Sequence, residues 1–394
     1  MSVTRHHTAN DTATTIVRSF VGVLSAGMLV LLAGCATHAP QEIKLVWPAP
    51  PETKRIEFVR SLYSDKDLVK DTTFEADLVE FLTGKKPPEN RITEPMGIAV
   101  SDDGERIYVS DFVQMSVYKF DFGKKKFTKV NTDKQLQRPA GIALDAQENI
   151  YVVESDKKGI SVLSPEGKEL NFITDASISR PTGIAIDRQR QRIYVCDTSH
   201  TKIKGQTDEE ARNKDQGHNV KMFDLQGKFL GVLGSGKGSA DGQFLFPTYV
   251  TLDRDGNVYV SDTLNSRVQK FDPDGKYLDH YGERGNGWGM FDKPKGVALD
   301  SFGNLYVVDT GWSNVQIFNP KKQILLFFGG RGQIPGMLGN PTSIFIDKNN
   351  RIYVGDSLNH RVEVYQLVNT SAEDSFINPV DKPGSAPASK NPGG

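Results

Sequence analysis

Cysteine is nearly absent from this chain: Cys35 and Cys196 are the two in 394 residues, too few for a disulfide-built scaffold. Histidine is also scarce, at seven residues, which leaves few places for an imidazole-rich metal centre. No charge of one sign dominates. The 48 basic and 49 acidic residues exclude both a global basic field for nucleic acid and an acidic solvating block. The longest uncharged apolar run near the N-terminus, residues 20–33, has 14 positions. A bilayer span needs about 20. A serine nucleophile elbow, a P-loop and a dinucleotide fingerprint are all missing. Two glycine-rich runs, at 234–238 and 329–332, resemble phosphate cradles, but no helix follows either, so they read as turns.

The short apolar run has the length of a signal-peptide core, about 7–15 residues, and Arg18 precedes it. It ends in Leu32-Ala33-Gly34-Cys35, which resembles a bacterial lipobox. The resemblance implies cleavage before Cys35, acylation of its sulfur and new amino group, and stable attachment to a membrane. Residues 1–34 are then a leader, and residues 36–54 a proline-containing tether. Ala36, rather than aspartate, after the cysteine implies the outer membrane, facing the periplasm. With Cys35 lipidated, Cys196 has no partner within the chain and reads as a small buried structural residue.

Abundant glycine, 37 residues, accompanies an internal repeat. A segment of the form P-x-G-[IV]-A-[VIL]-D begins at Pro95, Pro139, Pro181, Pro247, Pro294 and Pro341. Each is followed by an I-Y-V-x-D run and by a third apolar run, and several units show a fourth, as at 277–281 and 324–328. The runs are short, rich in Val, Ile, Tyr and Phe, and divided by D-x-x-G-N and D-P-D-G turns, which is strand and turn chemistry. Four short antiparallel strands in a unit of roughly 40–50 residues make a β-propeller blade. The fold class is therefore all-β, a six-bladed propeller of four-stranded antiparallel blades.

Asp262-Thr263-Leu264-Asn265-Ser266-Arg267-Val268 and Asp356-Ser357-Leu358-Asn359-His360-Arg361-Val362 resemble the NHL repeat closely. The resemblance spans residues 55–367 and is weakest in the first two units, where Glu154 replaces the aspartate. The sixth unit stops after its third strand near Leu367. An orphan strand-like run at 55–63 precedes the first unit, and pairing it into the last blade would close the ring and remove two open edges. Residues 74–82 read as a short amphipathic helix stopped by Gly84 and Pro87, and residues 368–394 as a disordered tail.

The carboxylate ending every second strand could form a metal-binding ring. A residue required in every blade beside a turn reads instead as a loop clamp. The aspartates closing the first strands (Asp145, Asp187, Asp253, Asp300 and Asp347) read the same way. Similar six-bladed families include amidating lyases with histidine-held zinc, and gluconolactonases and strictosidine-synthase-like propellers with acidic ligands in the central mouth. The mature chain offers His38, His200, His218, His280 and His360, which are dispersed. No catalytic residue, metal ligand or cofactor is assigned.

In unit three the connection between the second and third strands carries an insertion, about Ser199 to His218, that is polar and charged. The glycine-rich spacers before Pro247, Pro294 and Pro341 emerge at the same end of the blades, bearing Phe244, Trp288, Phe291 and Met337. Recognition residues concentrate on such loops. The candidate binding face is His200, Lys202, Lys204, His218, Trp288, Arg331 and His360. The expected function is a lipid-anchored scaffold binding an envelope protein, polymer or extracellular ligand, with no nucleic-acid partner. The alternative is a metal-dependent propeller hydrolase or lyase.

Overall fold

A computed structural model describes residues 45–68, 78–79, 82–84, 90–131, 135–198 and 217–370. Cys35, the leader, nearly all of the tail, the inserted residues 199–216 and most of the expected helix at 74–82 lie outside the described residues.

The six sequence units form six antiparallel sheets arranged as blades around an axis. Blade one has strands Pro95–Val100, Arg106–Asp111, Ser116–Asp121 and Lys126–Lys129, numbered outward from the axis. Blades two to five repeat that order from Pro139–Leu144, Pro181–Asp187, Pro247–Leu252 and Pro294–Leu299, and blade six starts at Pro341–Ile346. Neighbouring first strands touch all round, including blade six against blade one. The second strands are buried along their whole length in blades two, four and five, and everywhere but at the leading arginine in the other three. That explains their near-continuous Val, Tyr and Ile content.

Each first strand opens on a proline paired opposite the carboxylate that ends the second, as in Pro95 with Asp111 and Pro341 with Asp356. The proline lacks a backbone donor and is tolerated because this strand is the inner edge of its sheet. Two residues on, glycine is required by packing. A Cβ on Gly97 would lie 2.6 Å from the carbonyl oxygen of Ala140, and one on Gly183 2.5 Å from that of Thr248. The inner strands of adjacent blades thus meet backbone to backbone. Between the blades the side chains form the core, for example Tyr194, Val220, Phe244, Val250 and Val260 between blades three and four.

Ring closure follows the sequence expectation. Ile56–Leu62 pairs antiparallel with Arg361–Leu367 and supplies the fourth strand of blade six. The blade is larger than expected, because a fifth strand, Val46–Trp47, lies in the segment read as tether. Trp47 explains it: its ring sits 6.0 Å from that of Phe328 and 5.7 Å from that of Tyr365, filling the seam between blades five and six. None of the described helices is long and apolar enough to cross a membrane.

Candidate functional site

Loops joining second to third strands, and spacers joining one blade to the next, share one face, here called the loop face. The carboxylates ending the second strands lie just beneath it, and all six are buried. Each accepts backbone N–H groups from the segment entering its own blade. Asp111 receives Thr93 and Glu94, Asp197 receives Ser179 and Arg180, Asp309 receives Asp292 and Lys293, and Asp356 receives Gly339 and Asn340. Glu154, one methylene longer, receives Gln137, and Asp262 receives Leu245. These groups fix loops, as the sequence pattern suggested. The aspartates on the opposite face do the same; Asp253, for instance, binds the N–H groups of Asp255 and Asn257.

A second repeated device was hidden in the sequence. The residue before each third strand (Met115, Lys158, His218, Ser266, Ser313 and His360) has positive φ, between 50° and 58°. Four of these reach across to the spacer entering the next blade. Ser266 donates to the carbonyl of Asp292 and Ser313 to that of Gly339; His218 Nδ1 accepts from the Phe246 N–H, and His360 Nδ1 bonds the carbonyl of Thr93. His218 and His360 are therefore equivalent staples between blades, and both rings have this work to do. Only a shared backbone conformation links His, Ser, Met and Lys at this position, so no residue pattern announces it.

The second residues of the inner strands, at the loop-face end of the strands nearest the axis, are Met96, Ala140, Thr182, Thr248, Lys295 and Thr342. The threonine hydroxyls are engaged with Cys196 O, with Thr263 Oγ1, and with Pro95 O, respectively. Burial lowers the Lys295 ammonium pKa below the ordinary lysine value, and Lys293 adds repulsion that Glu94 partly offsets. At the third position, Tyr249 stands where four of the other blades have glycine, and its hydroxyl donates across the axis to Met96 O at 2.7 Å. Beyond this plug lies a lumen of about 340 Å³ with a mixed lining, Ile98, Leu144 and Val297 beside Thr251, Ser343 and Arg188. At its far end Arg188 bridges to Asp102 at 2.8 and 2.9 Å.

Four of the described second-to-third loops expose an apolar side chain. Val113, Leu264, Trp312 and Leu358, from second-to-third loops of blades one, four, five and six, are 53%, 43%, 44% and 60% exposed. Exposed cations lie farther out. Lys237, Arg284 and Arg331 occupy one spacer position, each bridged to the residue seven places on. Arg331 borders a groove of about 680 Å³ together with Glu94, Thr310, Gln333, Asn340 and Leu358.

The expected face is thus only partly assembled among the described residues. His200, Lys202 and Lys204 lie outside them. Trp288 is 73% exposed but packs edge-on at 5.0 Å against Phe327 on the outer strand of blade five, away from the mouth. Phe244 and Phe291 are fully buried core residues. The apolar loop residues were within reach of the sequence, since aligning the loops places Val113, Leu264 and Leu358 at one position. Cys196 is fully buried and its thiol pKa is raised well above normal by desolvation, so it is not poised as a nucleophile.

Gluconolactonase-type chemistry would need acidic metal ligands at the mouth. The second positions of the inner strands hold three threonines, Met96, Ala140 and Lys295, and none is a carboxylate. Among the described residues no three His, Cys, Asp or Glu side chains gather in a metal-binding group.

Comparison with known proteins agrees with the architecture. Residues 85–180 match the family model for the SMP-30/gluconolactonase/LRE-like region, and residues 244–271 match the NHL repeat. No curated protein matches the sequence. Among solved structures, a gluconolactonase from Xanthomonas campestris is similar with a TM-score of 0.54 at 15% identity, over 84% of this chain and 93% of that one. A Bacteroides thetaiotaomicron protein of unknown function aligns with TM-score 0.54 at 15% identity, over 71% of this chain and 70% of its own. A streptogramin B lyase aligns with TM-score 0.50 at 15% identity, over 72% and 85%. At such identities the likeness concerns fold alone. The chain is a six-bladed β-propeller that carries an NHL repeat in blade four and SMP-30/gluconolactonase/LRE-like sequence across its first two blades.

Proposed function

We propose that this propeller is a binding scaffold of the bacterial cell envelope, attached through an acylated Cys35, which recognises its partner on the loop face. The supporting observation is an arc of four exposed apolar side chains on the second-to-third loops of blades four, five, six and one, on the same face as an axial channel plugged by Tyr249. Turn geometry does not demand apolar residues there, because blade two has Asp156 at the same loop position. Exposed apolar side chains that no turn requires favour a recognition surface. The triple variant L264S/W312S/L358S should keep the wild-type melting temperature and lose at least about tenfold in capture of its envelope partner. Undiminished capture by the folded variant would remove the arc from the interface. A parallel arm replaces residues 199–218 with a short loop like that of blade four, separating the contribution of the insertion from that of the arc.

The anchor has its own test. Cys35→Ser should abolish incorporation of labelled fatty acid and leave a soluble or uncleaved precursor; acyl labelling that persists in this variant would refute lipidation. A metal-dependent hydrolase or lyase is the second reading, favoured by the gluconolactonase-like match over residues 85–180. Elemental analysis of purified protein discriminates, since stoichiometric metal that survives dialysis would support the enzyme.

A further inference from the structure

Edge strands expose unpaired backbone groups, and proteins normally protect them with charge, cover or brevity. In this ring four outer edges are protected in these ways, and a fifth has its side chains covered. Blade one ends in the short Lys126–Lys129, with a lysine at each end and the turn Asp65–Leu68 against it. In blade two, Glu169 and the Lys157 ammonium, 3.7 Å over the Phe172 ring, guard the edge. Blade four carries Asp279, paired with Lys322 at 2.8 Å. The outer strand of blade five, Ile324–Gly329, is also uncharged and unpaired on its outer edge, but Trp288 and Trp47 pack on its Phe327 and Phe328, and Phe327 is its one exposed residue. Blade six is covered by Val46–Trp47, whose segment supplies Trp47 O to the Arg55 N–H at 2.7 Å and Leu45 O to the Phe58 N–H at 2.9 Å.

Blade three differs. Its outer strand, Phe229–Leu233, has the sequence FLGVL, with no charge and no proline. Phe229, Leu230 and Val232 are 37%, 44% and 47% exposed, and no described strand pairs with the outer edge. Leu170 and Leu278 on the outer strands of blades two and four are exposed as single apolar residues beside charged neighbours. Blade six demonstrates within the same molecule that such an outer strand accepts a further antiparallel strand.

We infer that the outer edge of blade three is a self-association surface, on which Phe229–Leu233 of two copies pair antiparallel across a twofold axis. The strand is self-complementary. A register centred on Gly231 sets Phe229 opposite the other copy's Leu233, and Leu230 opposite its Val232. Lys228, the nearest charge, then faces Gly234, so no like charges meet. A twofold pairing of identical edges is closed and consumes both, which limits assembly to two chains. An uncharged strand offers nothing to steer a partner of either sign, whereas a second copy matches it residue for residue.

The test is the protein mass of the full chain in detergent, from light scattering with the detergent contribution subtracted, for wild type and L230K/V232K. The expected result is a two-chain mass for wild type, and for the variant a dissociation constant weakened by at least about tenfold at an unchanged melting temperature. L358K, on the loop face, should remain dimeric. A single-chain wild type, or a variant as dimeric as wild type, would overturn the inference. Should L230K/V232K fail to fold, mixing Leu230→Cys chains with Val232→Cys chains under oxidation replaces it: the register requires a mixed disulfide, and its absence counts against the pairing.

Discussion

Deleting residues 55–63 is expected to abolish the cooperative thermal transition and leave a chain that aggregates. Ile56 and Leu62 are fully buried and Phe58 nearly so, within the clusters that join blade six to blades five and one. Burial of such side chains contributes about 1.5–3 kcal/mol each. The loss of all three, together with a ladder to Arg361–Leu367, is of the order of a domain's whole net stability, about 5–15 kcal/mol. The deletion also bares the third strand of blade six as a new edge. A truncated protein that melts at the wild-type temperature and stays in its wild-type oligomeric state would show that closure does not depend on this strand.

Arg361→Met should cost about 3–5 kcal/mol, because it strands a partner charge in the same blade. Arg361 is 1% exposed and Glu363 fully buried, and they form an ion pair at 2.7 Å. The guanidinium also donates to the Tyr63 hydroxyl and to the carbonyls of Ile334 and Met337, so it holds both the closing strand and the spacer before blade six. Glu363 accepts from Ser61 and from the Gly336 N–H. In blades four and five the same job, accepting from a spacer glycine, is done by the neutral Gln269 and Gln316. Glu363→Gln should therefore be far milder than Arg361→Met.

The pair also sets a pH dependence. Desolvation pushes the Glu363 carboxyl up to about 7, against the pull of Arg361. A carboxyl whose folded pKa exceeds its unfolded value contributes stability that is present at low pH and lost as pH rises through the folded value. Wild type should accordingly lose stability relative to Glu363→Gln between about pH 4.5 and 7. Denaturant midpoints for both proteins across this range check it, and parallel curves would contradict it.

Much of the ring was legible because its determinants are local and repeated. The proline that opens each inner strand and the carboxylate at the end of the second strand recur in every blade, and the glycine two places after the proline recurs in four, each solving one packing problem. What stayed hidden had no repeated residue to mark it. Val46–Trp47 is two residues among prolines, and it is a strand only because Trp47 finds Phe328 and Tyr365 nearly 300 residues later. In sequence His218 and His360 read as part of a binding face, yet their position is fixed by backbone conformation, which serine shares, and each holds a spacer. Tyr249 is the reverse case: a visible departure from glycine whose meaning, a hydroxyl spanning the axis to Met96, needed the ring to be assembled.

The composite sixth blade also imposes an order in time. Residues 56–62 leave the ribosome about 300 positions ahead of the strand they pair with. Throughout synthesis of the first five blades that segment lacks the strand that holds it in blade six, having only Val46–Trp47 and blade one beside it, and the growing ring stays an open arc with two sticky ends. Completion waits for Leu367. Any chaperone that shields this molecule during its biogenesis has a defined task, to keep 56–62 from finding a substitute, and a defined moment of release.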